Sequence, residues 1–150
     1  MLESRVVRPD TKRLEISAGD WLLVKRRLNA GEQRRAFARM YRDTAEGRRV
    51  VDPLETGVAL VLGYLLDWSL IDERGQVIDI READDATKLA ALDAIDYDSF
   101  CEIKDAIEAH QKANEAEDAA KKKIPPGETP PAATSPSLVG VAGGSSGSEN

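Results

Sequence analysis

Apolar positions along the chain fall into blocks whose spacing changes from one to the next. Trp21-Leu22-Leu23-Val24 follows Ser17-Ala18-Gly19-Asp20. In this Ser-x-x-acid start, Ser17 would cap a helix and Asp20 would favour its dipole, so the pattern predicts a helix over 18–28. Ahead of it, 11–16 alternates weakly, as a short strand would. Asn29-Ala30-Gly31 punctuates the pattern, and a second helix is expected from about Glu32 to Glu46, closed near Gly47. On that helix Phe37, Met40, Tyr41 and Thr44 share one face, while Arg35, Arg39 and Arg42 share the opposite one.

Asp52-Pro53 opens an almost continuous apolar run from Leu54 to Leu66. Periodicity cannot separate a buried helix from a buried strand there. The length and the Asp-Pro start favour helix, whereas Val58, Val61, Gly57 and Gly63 argue against it. Glu73-Arg74-Gly75 is a turn signal between extended stretches and fits a small hairpin. A short helix over 84–94 and a long one over 97–123 complete the pattern, the last with Phe100, Ile103, Ile107 and His110 on one stripe. The expected fold class is mainly α, a small helical domain over 10–123 with at most a minor β-hairpin. Residues 1–9 are expected to form a flexible arm or a short strand. From Pro125 the chain is rich in Pro, Gly, Ser and Thr, and such a segment cannot offset its ordering entropy by burial, so 124–150 reads as a disordered tail. The expected core is Trp21, Val24, Leu28, Phe37, Met40, Tyr41, Leu60, Leu62, Leu65, Leu66, Trp68, Phe100, Ile103 and Ile107.

Composition narrows the function classes. The 150 residues include one Cys and one His. That excludes a disulfide scaffold and a cysteine-based zinc site, and it disfavours imidazole-centred catalysis. Cys101 lies between Phe100 and Ile103 on the last expected helix and His110 continues its apolar stripe; both read as packed residues before they read as reactive ones. Asp84, Asp85, Asp93, Asp96 and Asp98 lack the ligand spacing of a calcium loop, and no glycine-rich loop is followed by the Lys-Ser/Thr of a phosphate cradle. No segment approaches the length of a membrane helix, and the start, MLESRVVRPD, has no apolar core of a signal peptide.

The net charge of −6 is unevenly spread. Residues 1–50 carry 13 basic and 7 acidic side chains, whereas 51–123 carry 8 and 18. This split lets the two halves attract one another, or it steers a partner. The Arg35, Arg39 and Arg42 face could track a phosphate backbone, but the acidic remainder and the lack of interleaved aromatics argue against nucleic acid. Trp21 and Trp68 each follow an Asp. Such tryptophans anchor a core or, less often, an interface.

Five blocks, in this order and spacing, resemble the tail assembly chaperones of long-tailed bacteriophages. They are Asp20-Trp21-Leu22-Leu23-Val24-Lys25-Arg26, then Leu28-Asn29-Ala30-Gly31-Glu32-Gln33-Arg34-Arg35, then Leu60–Leu66 into Asp67-Trp68-Ser69-Leu70, then Asp72-Glu73-Arg74-Gly75, and the late helix Phe100–His110. The resemblance covers about 15–112. It implies a non-enzymatic protein of the host cytoplasm, absent from the mature virion, that binds the tape-measure protein, keeps it soluble and promotes tail-tube polymerisation around it. Its partners would be the tape-measure and tail-tube proteins and further copies of itself, with no cofactor, metal or membrane. The alternatives are a phage structural component, such as a head–tail connector or neck protein, and a nucleic-acid-binding regulator. Members of the family are often made in a second, frameshifted form. Lys121-Lys122-Lys123 is compatible with a slippery codon run, but a lysine triplet is common and a helix end favoured by the dipole is the preferred reading. The expected client surface is a seam between the basic second helix and the acidic last helix, bordered by Phe37, Tyr41, Ile107 and His110.

Overall fold

The computed structural model describes residues 4–122, so the tail expected over 124–150 lies outside the described residues. Of the described residues 52% are helical and 18% extended. Helix therefore predominates, but a small β-sheet contributes to the core; of its strands only the first, over 11–16, was expected as one, and the second stands where a helix was expected. Three antiparallel strands, β1 (Thr11–Glu15), β2 (Trp21–Lys25) and β5 (Leu65–Trp68), lie in the order β1-β2-β5. The chain divides into two compact units, Met1–Glu115 and Ala116–Asn150. Of the second, the described part is the end of the last helix, where Lys121 and Glu117 form an ion pair of 3.3 Å.

The helix expected over 18–28 does not form. Ser17–Gly19 is instead a tight turn between β1 and β2, with Glu15 opposite Trp21 and the Asp20 N–H donating to the Ser17 carbonyl at 3.1 Å. Ala18 (φ 59) and Gly19 (φ 78) both have positive φ, the geometry of a type I′ turn, whose twist matches that of the flanking strands. The competing signal was therefore Ala18-Gly19 within a three-residue hairpin loop, Ser17–Gly19, closed by the Ile16 N–H donating to the Asp20 carbonyl at 2.9 Å. Ser17 caps nothing: its N–H and its hydroxyl both donate to the Glu102 carboxylate, at 3.0 and 2.9 Å. Beyond the turn Leu22 and Val24 are fully buried, while Trp21, Leu23 and Lys25 on the other face are only partly so. This is the alternation of a strand with one covered face.

A capping box starts α1 (Ala30–Met40) at Asn29, whose side chain accepts from the Glu32 N–H while Glu32 accepts from the Asn29 N–H. The helix ends at Met40 rather than near Glu46, because the chain turns into a two-stranded ribbon, β3 (Tyr41–Asp43) and β4 (Arg49–Val51). Gly47, with φ +77, closes that ribbon's loop and not the helix. Asp52 then caps α2 (Pro53–Tyr64) by accepting from the Leu54 N–H at 3.0 Å, with Pro53 in the first turn.

The apolar run 54–66 holds two elements, since the chain passes from α2 directly into β5. Its glycines sit at close approaches within the helix. A Cβ on Gly57 would lie 2.8 Å from Lys104 Cδ, and one on Gly63 would lie 3.4 Å from Leu28 Cδ1 and 3.9 Å from Ala36 Cβ. Gly57 thus admits the last helix, and Gly63 admits α1 and the loop before it. A bulge at Leu66 offsets the β2–β5 register, pairing Leu22 with Trp68 and Val24 with Leu65.

Near Gly75 (φ +76) the expected small hairpin is present in minimal form, one antiparallel bridge from Ile71 to Val77, with the Asp72 N–H donating to the Gln76 carbonyl at 2.8 Å and the Ile78 N–H to the Leu70 carbonyl at 2.9 Å. The Trp68 indole N–H donates to the Ile78 carbonyl at 2.8 Å and holds this segment to the core. Asp84 caps α3 (Asp85–Ala94), and Asp96 accepts from both the N–H and the hydroxyl of Ser99 in the first turn of α4 (Tyr97–Lys122). The core contains Leu22, Val24, Leu60, Val61, Leu62, Tyr64, Leu65, Trp68, Ile80, Leu92, Ile103 and Ile107. Trp21, Leu28, Met40, Leu66 and Phe100 are half-buried, whereas Phe37 and Tyr41, expected in the core, are exposed.

Candidate protein-docking face

The four residues expected to border a client seam do not share a surface. Ile107 is fully buried and His110 is 4% exposed, whereas Phe37 is 55% and Tyr41 42% exposed. The seam assumed that α1 and α4 pair through opposite charge. Instead Ala36 of α1 faces Gly63 of α2, and the charges of each helix find other partners. Arg39 lies 3.8 Å from Asp85, Arg42 lies 3.6 Å from Asp52, Glu102 takes Ser17, and Lys104 pairs with Asp105 and Glu108 on its own helix.

His110 has a structural task. Its Nε2 is 3.1 Å from the carbonyls of both Lys25 and Arg26, two acceptors, so Nε2 carries the proton and donates. Tyr64 meets the imidazole edge-on at 5.7 Å, and Nδ1 is buried with no partner. Asn114 adds a bond of 2.6 Å to the Arg26 carbonyl. Together these side chains latch α4 onto the end of β2.

The two Asp-Trp pairs meet across the sheet. Ser69 accepts the Trp21 N–H at 2.9 Å and donates its hydroxyl to Asp20 at 2.8 Å. Arg13 stacks over the Trp21 ring at 4.7 Å. Both tryptophans therefore serve the fold, the half-buried Trp21 beneath a guanidinium and Trp68 in the core.

A groove of about 460 Å³ between α1 and α2 is lined by Lys25, Glu32, Arg35, Arg39 and Asp85 among small apolar residues. Lys25 and Glu32 pair at 3.1 Å across it. The nearby Lys88 amine is buried and donates to the Leu65 carbonyl at 2.8 Å. Loss of solvent, aided by the Lys25 charge and opposed by Asp85, lowers its pKa. No group of His, Cys, Asp and Glu placed to hold a metal occurs among the described residues, and no described helix is long and apolar enough to cross a membrane.

Around the β3–β4 ribbon the structure leaves apolar and basic side chains uncovered. Tyr41 and Val51 are cross-strand partners in the β3–β4 ribbon, and Val51 is 54% exposed. Phe37 lies one turn before Tyr41, and Leu54, exposed at the start of α2, follows three residues after Val51. Arg34, Arg35 and Arg48 are exposed, with no ion pair among the described residues. The sequence pattern placed Phe37 and Tyr41 on an apolar helix face and so assigned them to the interior. α1 meets α2 through Ala36 at Gly63, and Phe37 is left uncovered, while Tyr41 falls beyond the helix in the β3–β4 ribbon. No family model, curated protein or solved structure matches this chain. The resemblance to tail assembly chaperones thus rests on the quoted residues alone.

Proposed function

We propose that this chain is a non-catalytic protein-binding subunit of the tail assembly chaperone type. It would bind the tape-measure protein in the host cytoplasm, keep it soluble and promote tube polymerisation, remaining outside the finished virion. The observation that supports this reading is the placement of aromatics. The chain has only seven, and three of them, Phe37, Tyr41 and Tyr97, are exposed. Aromatic side chains contribute strongly to protein interfaces, and a scarce aromatic left in water gains nothing for the fold. The Phe37, Tyr41, Val51 and Leu54 face suits an apolar stripe of a helical client, with Arg34, one turn before Phe37, at its polar rim.

A nucleic-acid regulator is the weaker reading, because Arg39 and Arg42 each already face a carboxylate. A connector or neck protein would be found at fixed copy number in purified particles, where a chaperone would be absent. The direct experiment is co-expression with the tape-measure protein. The native chain is expected to keep that client soluble and to co-purify with it. A Phe37→Asp/Tyr41→Asp variant, exposed at both positions and so still folded, is expected to do neither. A folded variant that binds as well as the native chain would overturn the assignment.

A further inference from the structure

The charges beside the Phe37, Tyr41, Val51 and Leu54 face restrict which helix it can take. Residues 30–51 hold six arginines against three acids, in a chain whose net charge is −6. Three of those arginines are already matched: Arg39 faces Asp85, Arg42 faces Asp52 and Arg49 faces Asp43. Of the acids, Glu32 is held by Lys25 and Asp43 by Arg49. What is left exposed with no ion pair among the described residues is Arg34, Arg35 and Arg48 against Glu46 alone, a surplus of positive charge. Arg34 lies three residues before Phe37, the spacing of one helix face, and Arg48 lies in the loop of the ribbon that carries Tyr41 and Val51. Uncompensated arginines therefore stand on both elements that present the apolar surface, α1 and the ribbon.

We propose that the occupant of this face is an acidic amphipathic helix. Its apolar residues, at i, i+3, i+4 and i+7, seat on Phe37, Tyr41, Val51 and Leu54, and carboxylates beside that stripe meet Arg34 and Arg48. The inference rests on the reading of the face as a protein-docking surface, and it adds which segments of a client are selected. Apolar contact holds the helix, while the charges decide between helices that carry the same stripe. A stripe bordered by lysines sets like charges together and is rejected, which is selection by repulsion as well as by attraction. On a long client the chain would thus settle on acid-bordered stripes and pass over basic ones.

Three labelled helical peptides test this on the full native chain, each with one leucine stripe and with glutamate, glutamine or lysine at the bordering positions. Fluorescence anisotropy is expected to rank them glutamate, glutamine, lysine, with glutamate about tenfold or more tighter than lysine at low ionic strength. High salt should bring the three together. Arg34→Glu/Arg48→Glu changes two exposed positions, should leave the far-UV circular dichroism unchanged, and is expected to reverse the ranking. Phe37→Asp/Tyr41→Asp is expected to lose all three peptides. The proposal is overturned if no peptide binds, if the native chain binds all three alike, or if the charge reversal leaves the ranking as it was. It is also overturned if a labelled DNA duplex displaces the glutamate peptide and Arg34→Glu/Arg48→Glu abolishes that duplex binding. Equal binding that Phe37→Asp/Tyr41→Asp abolishes would remove the charge selection and leave the docking face standing. Ranked binding that survives that variant would place the acidic helix elsewhere and remove both.

Discussion

Replacing Ala18 by glycine distinguishes a strand-linking turn from a helix by the sign of the stability change alone. Ala18 is exposed and has φ 59 and ψ 19, so its methyl group packs against no core and lies in the left-handed region. For a residue with a Cβ that region costs roughly 1–2 kcal/mol relative to the right-handed one, and glycine escapes the cost. Glycine gives back about 0.4–1 kcal/mol through the greater freedom of the unfolded chain. The net expectation for Ala18→Gly is stabilisation by about 0.5–1 kcal/mol. Ala18→Asn, which tolerates left-handed geometry without glycine's entropy, should do at least as well. In a helix over 18–28 both changes would instead destabilise, glycine by about 1 kcal/mol. Urea unfolding followed by Trp fluorescence is the assay. With a slope of about 1–2 kcal/mol/M for a domain of this size, the midpoint should rise by roughly 0.3–1 M at unchanged slope. A fall in the midpoint for both variants would refute the turn and the sheet built on it.

Gly63→Ala should be neutral to stabilising by up to about 1 kcal/mol, since helix propensity improves and the added Cβ meets Leu28 at an ordinary 3.4 Å. Gly57→Ala must displace Lys104, 2.8 Å away, so its midpoint should lie below that of Gly63→Ala in the same denaturation series. Ile107→Ala should cost about 2–5 kcal/mol, as for a fully buried aliphatic, while Phe37→Ala stays within about 1 kcal/mol of native. Hydrogen bonds from Thr87 to Asp84 and from Ser99 to Asp96 hold both carboxyls below the ordinary 3.8. A carboxyl depressed by folding contributes stability above its unfolded pKa and loses it as pH falls through the folded one. Thermal unfolding should therefore lose stability below about pH 4. Asp84→Asn/Asp96→Asn, which keeps both caps without a titrating group, should flatten that part of the profile.

Much of the helical pattern was legible because its signals are local. Asp52-Pro53, Asp84 with Thr87, and the stripe of Ile103 and Ile107 each specify a helix within a few residues. The sheet was not, because Trp21–Lys25 and Leu65–Trp68 become strands by pairing with one another across 40 residues of chain. Leu22-Leu23-Val24 alone fits either element, and the bulge at Leu66 hides the alternation of β5. The candidate site was half legible. Phe37 and Tyr41 stood out on the apolar face of the second expected helix, opposite its arginines, and were assigned to the core. Ile107 and His110 also stood out, but only the partners of His110, the carbonyls of Lys25 and Arg26, reveal that it latches the core. No sequence period reports a backbone carbonyl 85 residues away.

The central claim is that the Phe37, Tyr41, Val51 and Leu54 face receives the client. Hydrogen exchange of the chain with and without the tape-measure protein tests it most directly, at a concentration where the chain alone is monomeric. Added protection should concentrate over 37–54, with 103–110, already protected as core, unchanged. Binding that leaves 37–54 exchanging as in the free chain, or that protects only other segments, would contradict the account.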